Sequence, residues 1–291
     1  MPKRARTRSP RNIRLARAVS PQQIQGIVRE LLQAHDEAGR ITSIAARDPQ
    51  FDLDAAYQVA AELMRQRRGR GSRPGGRKIG FTNRAIGALY GVDAPMWAHV
   101  YDDTVSYAND GTAEVSLAGT VAPRMEPEIV FKLRAPIPPG CKDAERLLRC
   151  AEWYAHSVEI VHSHFDWKFK LADATADWAC HARLIIGEPQ AISEESIPAL
   201  ARALPGIRAA LLKSGVKQIE GIGANVLGSP VHALAFLADL LARQTFMQPL
   251  AAGEVISTGT LTDALPVNPG ETWSTEIDGL PLQNLTISYT G

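Results

Sequence analysis

Cysteine is scarce in this chain: three among 291 residues, Cys141, Cys150 and Cys180, with no Cys-x-x-Cys spacing. The odd count argues against a disulfide framework or a cysteine-built zinc site and fits a reduced, cytoplasmic protein. Long apolar runs are missing too. Nothing approaches the ~18 consecutive residues of a membrane span, so no membrane partner is expected. No apolar block follows the basic N-terminal residues, as a secretory signal would require. There is no internal repeat and no phosphate-cradling glycine loop, since Gly221-Ile222-Gly223 lacks the rest of that spacing.

What is present is a globular composition, 45% hydrophobic and 22% charged, in a length that allows one large domain or two small ones. The net charge of +1 hides an asymmetry: Lys3, Arg4, Arg6, Arg8, Arg11, Arg14 and Arg17 are basic, and without these seven the body carries about −6. An acidic body is not the footprint of a nucleic-acid reader. Residues 1–19 are therefore expected to be a solvated, disordered leader.

A helical region follows over residues 20–76. Ser20 can cap a helix, Pro21 suits its first position, and Gln23 completes a capping box. Ile24, Ile27, Val28, Leu31 and Leu32 then recur at helical spacing. A second helix is predicted over 54–67, and the glycine-rich stretch 69–76 reads as a loop. Residues 77–291 change style. Thr82 or Asn83 caps a short helix ending at Gly91, and strands are predicted over 99–105, 113–117, 128–133, 157–161 and 183–186. A hairpin spans 207–219, and three strands, 254–258, 272–277 and 282–289, close the chain. Helices are expected over 142–154 and 230–243. Many short strands with few helices indicate a β-rich α+β fold rather than a doubly wound sheet.

The chemistry centres on Arg124-Met125-Glu126-Pro127-Glu128-Ile129-Val130-Phe131. On a strand, residues two apart share a face, so Glu126 and Glu128 present paired carboxylates. Pro127 removes a backbone donor, which suits a strand start or edge. Glu159, inside Val158-Glu159-Ile160-Val161, is a third carboxylate in an apolar context and needs an ion or a cationic partner. Three carboxylates without cysteines favour a hard divalent cation, Mg²⁺ or Mn²⁺. Lys78, beside Gly80, could hold a substrate carboxylate or, with a lowered pKa, move protons. Lys168 and Lys170 could do the same. His162 and His164 alternate like metal ligands but lack a third partner. Thr258-Gly259-Thr260 offers hydroxyls and N–H groups to an anion.

These stretches, with Asp54-Ala55-Ala56-Tyr57, Lys78-Ile79-Gly80-Phe81-Thr82, Gly91-Val92-Asp93-Ala94-Pro95, the run from Lys170 to Asp177, and the segments 223–230 and 252–260, occur in an order that resembles the 2-keto-4-pentenoate hydratase and 4-oxalocrotonate decarboxylase family of the fumarylacetoacetate hydrolase superfamily. The resemblance covers roughly Leu53 to the C-terminus. It implies a mixed β-roll with the helical region before it, a metal on Glu126, Glu128 and Glu159, active-site lysines at Lys78 and Lys170, and substrate contacts at Val100 and Thr258. It also implies a homo-oligomer. Two positions depart from the family pattern: His162 stands where Asp is common and Trp178 where Asn is common, so both become candidate substrate contacts. The implied activity is addition of water to a 2-hydroxy-2,4-dienoate. Its rivals are decarboxylation of a 4-oxalocrotonate-like diacid, C–C hydrolysis of an acylpyruvate, and a noncatalytic stabilising subunit.

Overall fold

The computed structural model describes residues 19–92, 94–244 and 246–291. Apart from Val19, the expected leader lies outside them, as does Asp93. The chain opens with α1 (Pro21–Glu37), α2 (Ile44–Arg47) and α3 (Leu53–Gly69). Ser20 and Gln23 form the predicted capping box, a device worth about 1 kcal/mol. The next elements are β1 (Pro74–Gly80), α4 (Arg84–Leu89), β2 (Met96–Tyr101), β3 (Val105–Tyr107), β4 (Thr112–Ser116), β5 (Arg124–Leu133), α5 (Ala144–Arg149) and β6 (Ala151–Val161). After them come α6 (Leu171–Ala176), β7 (His181–Ile186), β8 (Gln190–Ala191), α7 (Ile197–Ala203), β9 (Arg208–Lys213), β10 (Val216–Ile222) and α8 (Pro230–Ala242). β11 (Val255–Ser257), β12 (Leu265–Pro266), β13 (Thr272–Asp278) and β14 (Leu285–Thr290) complete the chain.

The strands form two mixed sheets. A nine-stranded sheet runs β2-β1-β11-β5-β6-β7-β3, with β12 on β5 and β8 on β6. A five-stranded sheet runs β10-β9-β13-β14-β4. Apolar side chains from both, Met125, Val158 and Ile160 from one and Leu211, Trp273 and Ile287 from the other, meet in a shared core. Because strand side chains alternate, the intervening residues Glu126, Glu128 and Glu159 are turned to the opposite face. The helical region does not stand alone: Leu31, Phe51 and Val59 pack with Tyr101, Phe165 and Trp178 of the β-rich region.

Several local expectations change. The helix predicted over 142–154 ends at Arg149, and Ala151 starts β6 opposite Leu133. Leu147, Leu148, Ala151 and Tyr154 all enter the same core, which mimics a helical period, but the long β5 ladder and the β-favouring Trp153 and Tyr154 decide for strand. The predicted loop over 69–76 already contains the start of β1. The run 99–105 is divided between β2 and β3. Pro127 lies inside β5 rather than at its start. Its carbonyl accepts from Leu261 N–H, so its missing donor faces the irregular segment after β11 and no β5–β6 rung is lost. The 208–222 hairpin forms as expected, with Ser214 and Gly215 both at positive φ, as a two-residue hairpin turn requires.

Candidate active site

Register builds the site. In the β5–β6 pair, Glu126 lies opposite Glu159 and Glu128 opposite Ser157, so two strands place three carboxylates on one patch. One oxygen from each lies within 4.8 Å of one oxygen from each of the others. Glu128 and Glu159 are fully buried. Burial raises the Glu126 pKa to about 7, with repulsion from Glu159 adding to it and Lys78 opposing it. Glu128 is pushed well above the carboxylate range by burial and then by its two acidic neighbours. Burial acts on Glu159 in the same direction, but attraction to Lys78 and a hydrogen bond from His181 outweigh it and hold this carboxylate low.

Each acid is held by specific partners. Glu128 Oε2 accepts from Ser257 Oγ and, at 3.0 Å, from Gly259 N–H. The anion-receiving stretch expected at 258–260 is thus occupied by the protein's own carboxylate. Gly259 has φ +97°, and a Cβ there would sit 1.9 Å from Thr82 Oγ1, so only glycine brings this N–H into place. Glu159 Oε1 is 2.7 Å from His181 Nδ1, whose Nε2 is 2.8 Å from Thr104 Oγ1. An ionised carboxylate only accepts, so the His181 proton facing Glu159 sits on Nδ1. Lys78 Nζ is 3.0 Å from Glu159 Oε2 and donates to Ala179 O at 3.0 Å. That carbonyl is presented by Trp178, Ala179 and Cys180, three consecutive residues at positive φ. Burial alone would lower the Lys78 pKa, but Glu159, Glu126 and Glu128 raise it. Lys78 is therefore a charged donor here, not the low-pKa base envisaged from sequence.

Glu128 Oε1 is buried without a partner, and Glu159 Oε2 has only the Lys78 ammonium beside it. An unsatisfied buried oxygen among three converging acids fits a hard divalent cation, which takes oxygen ligands. The residues present can thus hold Mg²⁺ or Mn²⁺. Beside them opens a cavity of about 240 Å³ whose wall includes the polar or charged Lys78, Glu126, Arg124 and Thr260 and the apolar or aromatic Phe81, Ile86, Leu89, Tyr90, Met96 and Trp167. Arg124 donates to Tyr90 Oη at 2.6 Å and lies 4.2 Å from the Trp167 ring centroid. No carboxylate lies within ion-pair distance of it among the described residues.

Of the residues anticipated from sequence, the three glutamates and Lys78 come together. Gly259 and Thr260 also line the cavity, whereas Lys170, Thr258, Val100, His162 and Trp178 are not among its lining residues. Lys170 donates from Nζ to Ala45 O, and its N–H bonds Asp173, which also receives Ser43 Oγ and Ala45 N–H. It ties α6 to α2. Thr258 Oγ1 donates to Ile129 O, and Val100 is fully buried in β2. His162 and Trp178 face the helical region, where the Trp178 ring lies 5.0 Å from that of His35. They are displaced because β6 ends at Val161 and the chain then turns toward α1. Ser257, His181, Thr104 and Arg124 were missed. Ser257 lay inside the marked segment 252–260 and Arg124 shared the strand face of Glu126 and Glu128, whereas nothing local distinguished His181 or Thr104.

A mixed β-roll carrying an acidic triad beside a cavity defines an enzyme of the fumarylacetoacetate hydrolase superfamily. At the level of fold, the chain is similar to ynq8 of yeast, a fumarylacetoacetate hydrolase family protein (TM-score 0.53, 13% identity, 74% of this chain and 92% of that one). No family profile matches the chain. It is 30% identical over 251 residues to a 2-hydroxyhexa-2,4-dienoate hydratase of Comamonas testosteroni, covering 86% of this chain and 92% of the relative. It is also similar to the 4-oxalocrotonate decarboxylase of Pseudomonas putida G7, solved with magnesium and adipate (TM-score 0.83, 27% identity, 94% of this chain and 99% of that one). The chain belongs to the 2-keto-4-pentenoate hydratase and 4-oxalocrotonate decarboxylase family.

Proposed function

We propose that this protein is a Mg²⁺- or Mn²⁺-dependent hydratase that adds water to a 2-hydroxy-2,4-dienoate, giving a 4-hydroxy-2-oxoacid, in the breakdown of aromatic-ring cleavage products. Glu126, Glu128 and Glu159 are the proposed metal ligands. The observation that carries the reading is their convergence, with Lys78, beside an otherwise mostly apolar cavity. Charge favours the hydratase over the decarboxylase. With a divalent ion bound and its three ligand carboxylates ionised, Lys78 and Arg124 bring the site to one positive charge, which a monocarboxylate dienoate neutralises. A dicarboxylate would add a second negative charge beside an apolar wall and the rim residue Asp263.

Bound at the triad, the ion would supply a Lewis acid to the 2-oxo and carboxylate oxygens of the substrate. Arg124 draws in the substrate carboxylate. Lys78, held charged and fixed by Glu159 and Ala179 O, gives a proton to the far carbon of the dienol and takes up the proton that the 2-hydroxyl releases as it becomes a 2-oxo group, so it ends the step charged as it began. Water then adds at the carbon conjugated with that carbonyl, and its second proton ends on the carbon between them. Phe81, Met96 and Trp167 keep bulk water from the uncharged tail. His181, fixed by Thr104, stops Glu159 from rotating away.

The test is to supply 2-hydroxypenta-2,4-dienoate and Mg²⁺ and follow the dienol absorbance. Decay without CO₂, lost in Glu126→Ala together with metal affinity, supports hydration. Faster CO₂ release from a 4-oxalocrotonate-type diacid would establish decarboxylation instead, and inertness toward both would leave a stabilising subunit. We further propose a cytoplasmic homo-oligomer in which residues 20–76 form a helical region and 77–291 the catalytic one. The free cysteines and the exposed Leu89 and Phe246 support the setting and the assembly. No described helix is long and apolar enough to cross a membrane.

A further inference from the structure

A second cluster of ligand-type side chains lies outside the active site. His162 and His164 follow β6, and the tertiary fold gives them the partner that their local sequence lacks: His35, in the last turn of α1. One nitrogen from each imidazole lies within 4.8 Å of one from each of the others. His162 and His164 are buried and His35 is partly so. The nitrogens without hydrogen-bond partners are His35 Nδ1, His162 Nε2 and His164 Nε2. Three buried, unsatisfied nitrogens in one place would each cost about 1–3 kcal/mol if nothing met them.

The surroundings prepare two of these rings, His164 and His35, for an ion. His164 Nδ1 is 2.7 Å from Asp177 Oδ1, which fixes its proton on Nδ1 and leaves the Nε2 lone pair free, as in carboxylate–histidine–metal arrangements. Burial, followed by the charge of Arg67, lowers the His35 pKa to about 4, so that ring is neutral at physiological pH. His162 Nδ1 accepts from Val121 N–H at 3.3 Å, which places the His162 proton on Nε2. Ion binding would transfer that proton to Nδ1 and open this long contact. Metal–nitrogen bonds of about 2.0–2.1 Å in tetrahedral geometry put ring centroids about 5.2 Å apart. The His162–His164 centroids are 4.6 Å apart, while His35 lies 6.3 and 6.2 Å from them. Closure therefore asks His35 to move by about 1 Å, within reach of a side chain at a helix end.

We propose that His35, His162 and His164 form a second metal site, selective for an imidazole-seeking ion such as Zn²⁺, which fastens α1 to the end of β6. It is separate from the all-oxygen triad, which favours Mg²⁺ or Mn²⁺.

The test uses the full chain in excess Mg²⁺, titrated with Zn²⁺ against a chromophoric chelator and, separately, with Co²⁺ read by visible absorption. The expected result is one equivalent of Zn²⁺ that Mg²⁺ does not displace, a tetrahedral Co²⁺ spectrum, and a rise in Tm on Zn²⁺ addition. His35→Ala and His164→Ala should each weaken Zn²⁺ binding by about 100-fold or more. Because His35 is only partly buried, its variant keeps the test open should His164→Ala fail to fold. Glu126→Gln should leave this binding intact. Zn²⁺ affinity in His35→Ala equal to that of the unmodified chain, loss of the Zn²⁺ in Glu126→Gln, or an octahedral Co²⁺ spectrum would each overturn the proposal.

Discussion

Replacing Ser257 with alanine deletes a single hydroxyl behind the proposed metal centre. That hydroxyl donates to Glu128 Oε2, leaving Gly259 N–H as the other donor to the same oxygen. Together they favour the ionised carboxylate against the burial and the two neighbouring acids that push its pKa up. A hydrogen bond to a charged group contributes about 1.5–3 kcal/mol, and losing a partner behind a metal ligand typically weakens the metal by about 10–100-fold. The two figures agree, so Ser257→Ala is expected to lower Mg²⁺ affinity by one to two decades. It should also move the pH at which Mg²⁺ binds upward, because Glu128 becomes harder to ionise. At saturating Mg²⁺, kcat should stay within about threefold, since Ser257 is not on the cavity wall. Calorimetric Mg²⁺ titration from pH 6 to 9, paired with dienol turnover, measures all three quantities. Unchanged Mg²⁺ affinity, or a kcat collapse that Mg²⁺ cannot restore, would refute the assignment of Glu128 as a positioned ligand.

Three other outcomes are expected. Lys78→Met removes the cation beside Glu159; Mg²⁺ should bind at least as tightly, while kcat falls by about 10²–10⁴-fold, and retained turnover would remove Lys78 from the chemistry. Mg²⁺ affinity should rise with pH. Burial raises Glu126 to about 7 and raises Glu128 as well, so the ion competes with protons for both carboxylates. The dependence should be steep below about pH 7, where Glu126 takes up its proton, and appear as proton release in buffers of different ionisation enthalpy; a pH-independent affinity would contradict it. Gly259→Ala forces a Cβ into Thr82 Oγ1 at a positive φ and should cost about 3 kcal/mol or more by urea unfolding. A loss below about 0.5 kcal/mol, an ordinary surface change, would mean that the tight approach is not there.

Much of the architecture was legible from local pattern. Ser20 and Gln23 announced α1, the apolar stripe after Pro230 announced α8, and the Ser214-Gly215 turn announced its hairpin. Such signals are carried by neighbours in the chain, where one turn or one pleat decides the outcome. The same reasoning failed at 142–154, because a helix and the start of a buried strand can share an apolar spacing, and pairing with β5 chose between them.

At the site the division is similar. Strand alternation made Glu126 and Glu128 partners, and an apolar setting marked Glu159 as needing one. Their meeting depends on the β5–β6 register, in which a one-residue slip would turn Glu159 to the other face. Ser257, Gly259, His181 and Lys78 reach the carboxylates from other elements. Lys170 and Trp178 carried the right chemistry but were directed to the helical region instead. Sequence determined which groups were available and which strand face each would take. Only the tertiary structure decided which of them converge, because convergence is set by pairing and packing between segments far apart in the chain, and periodicity along one segment carries no record of that.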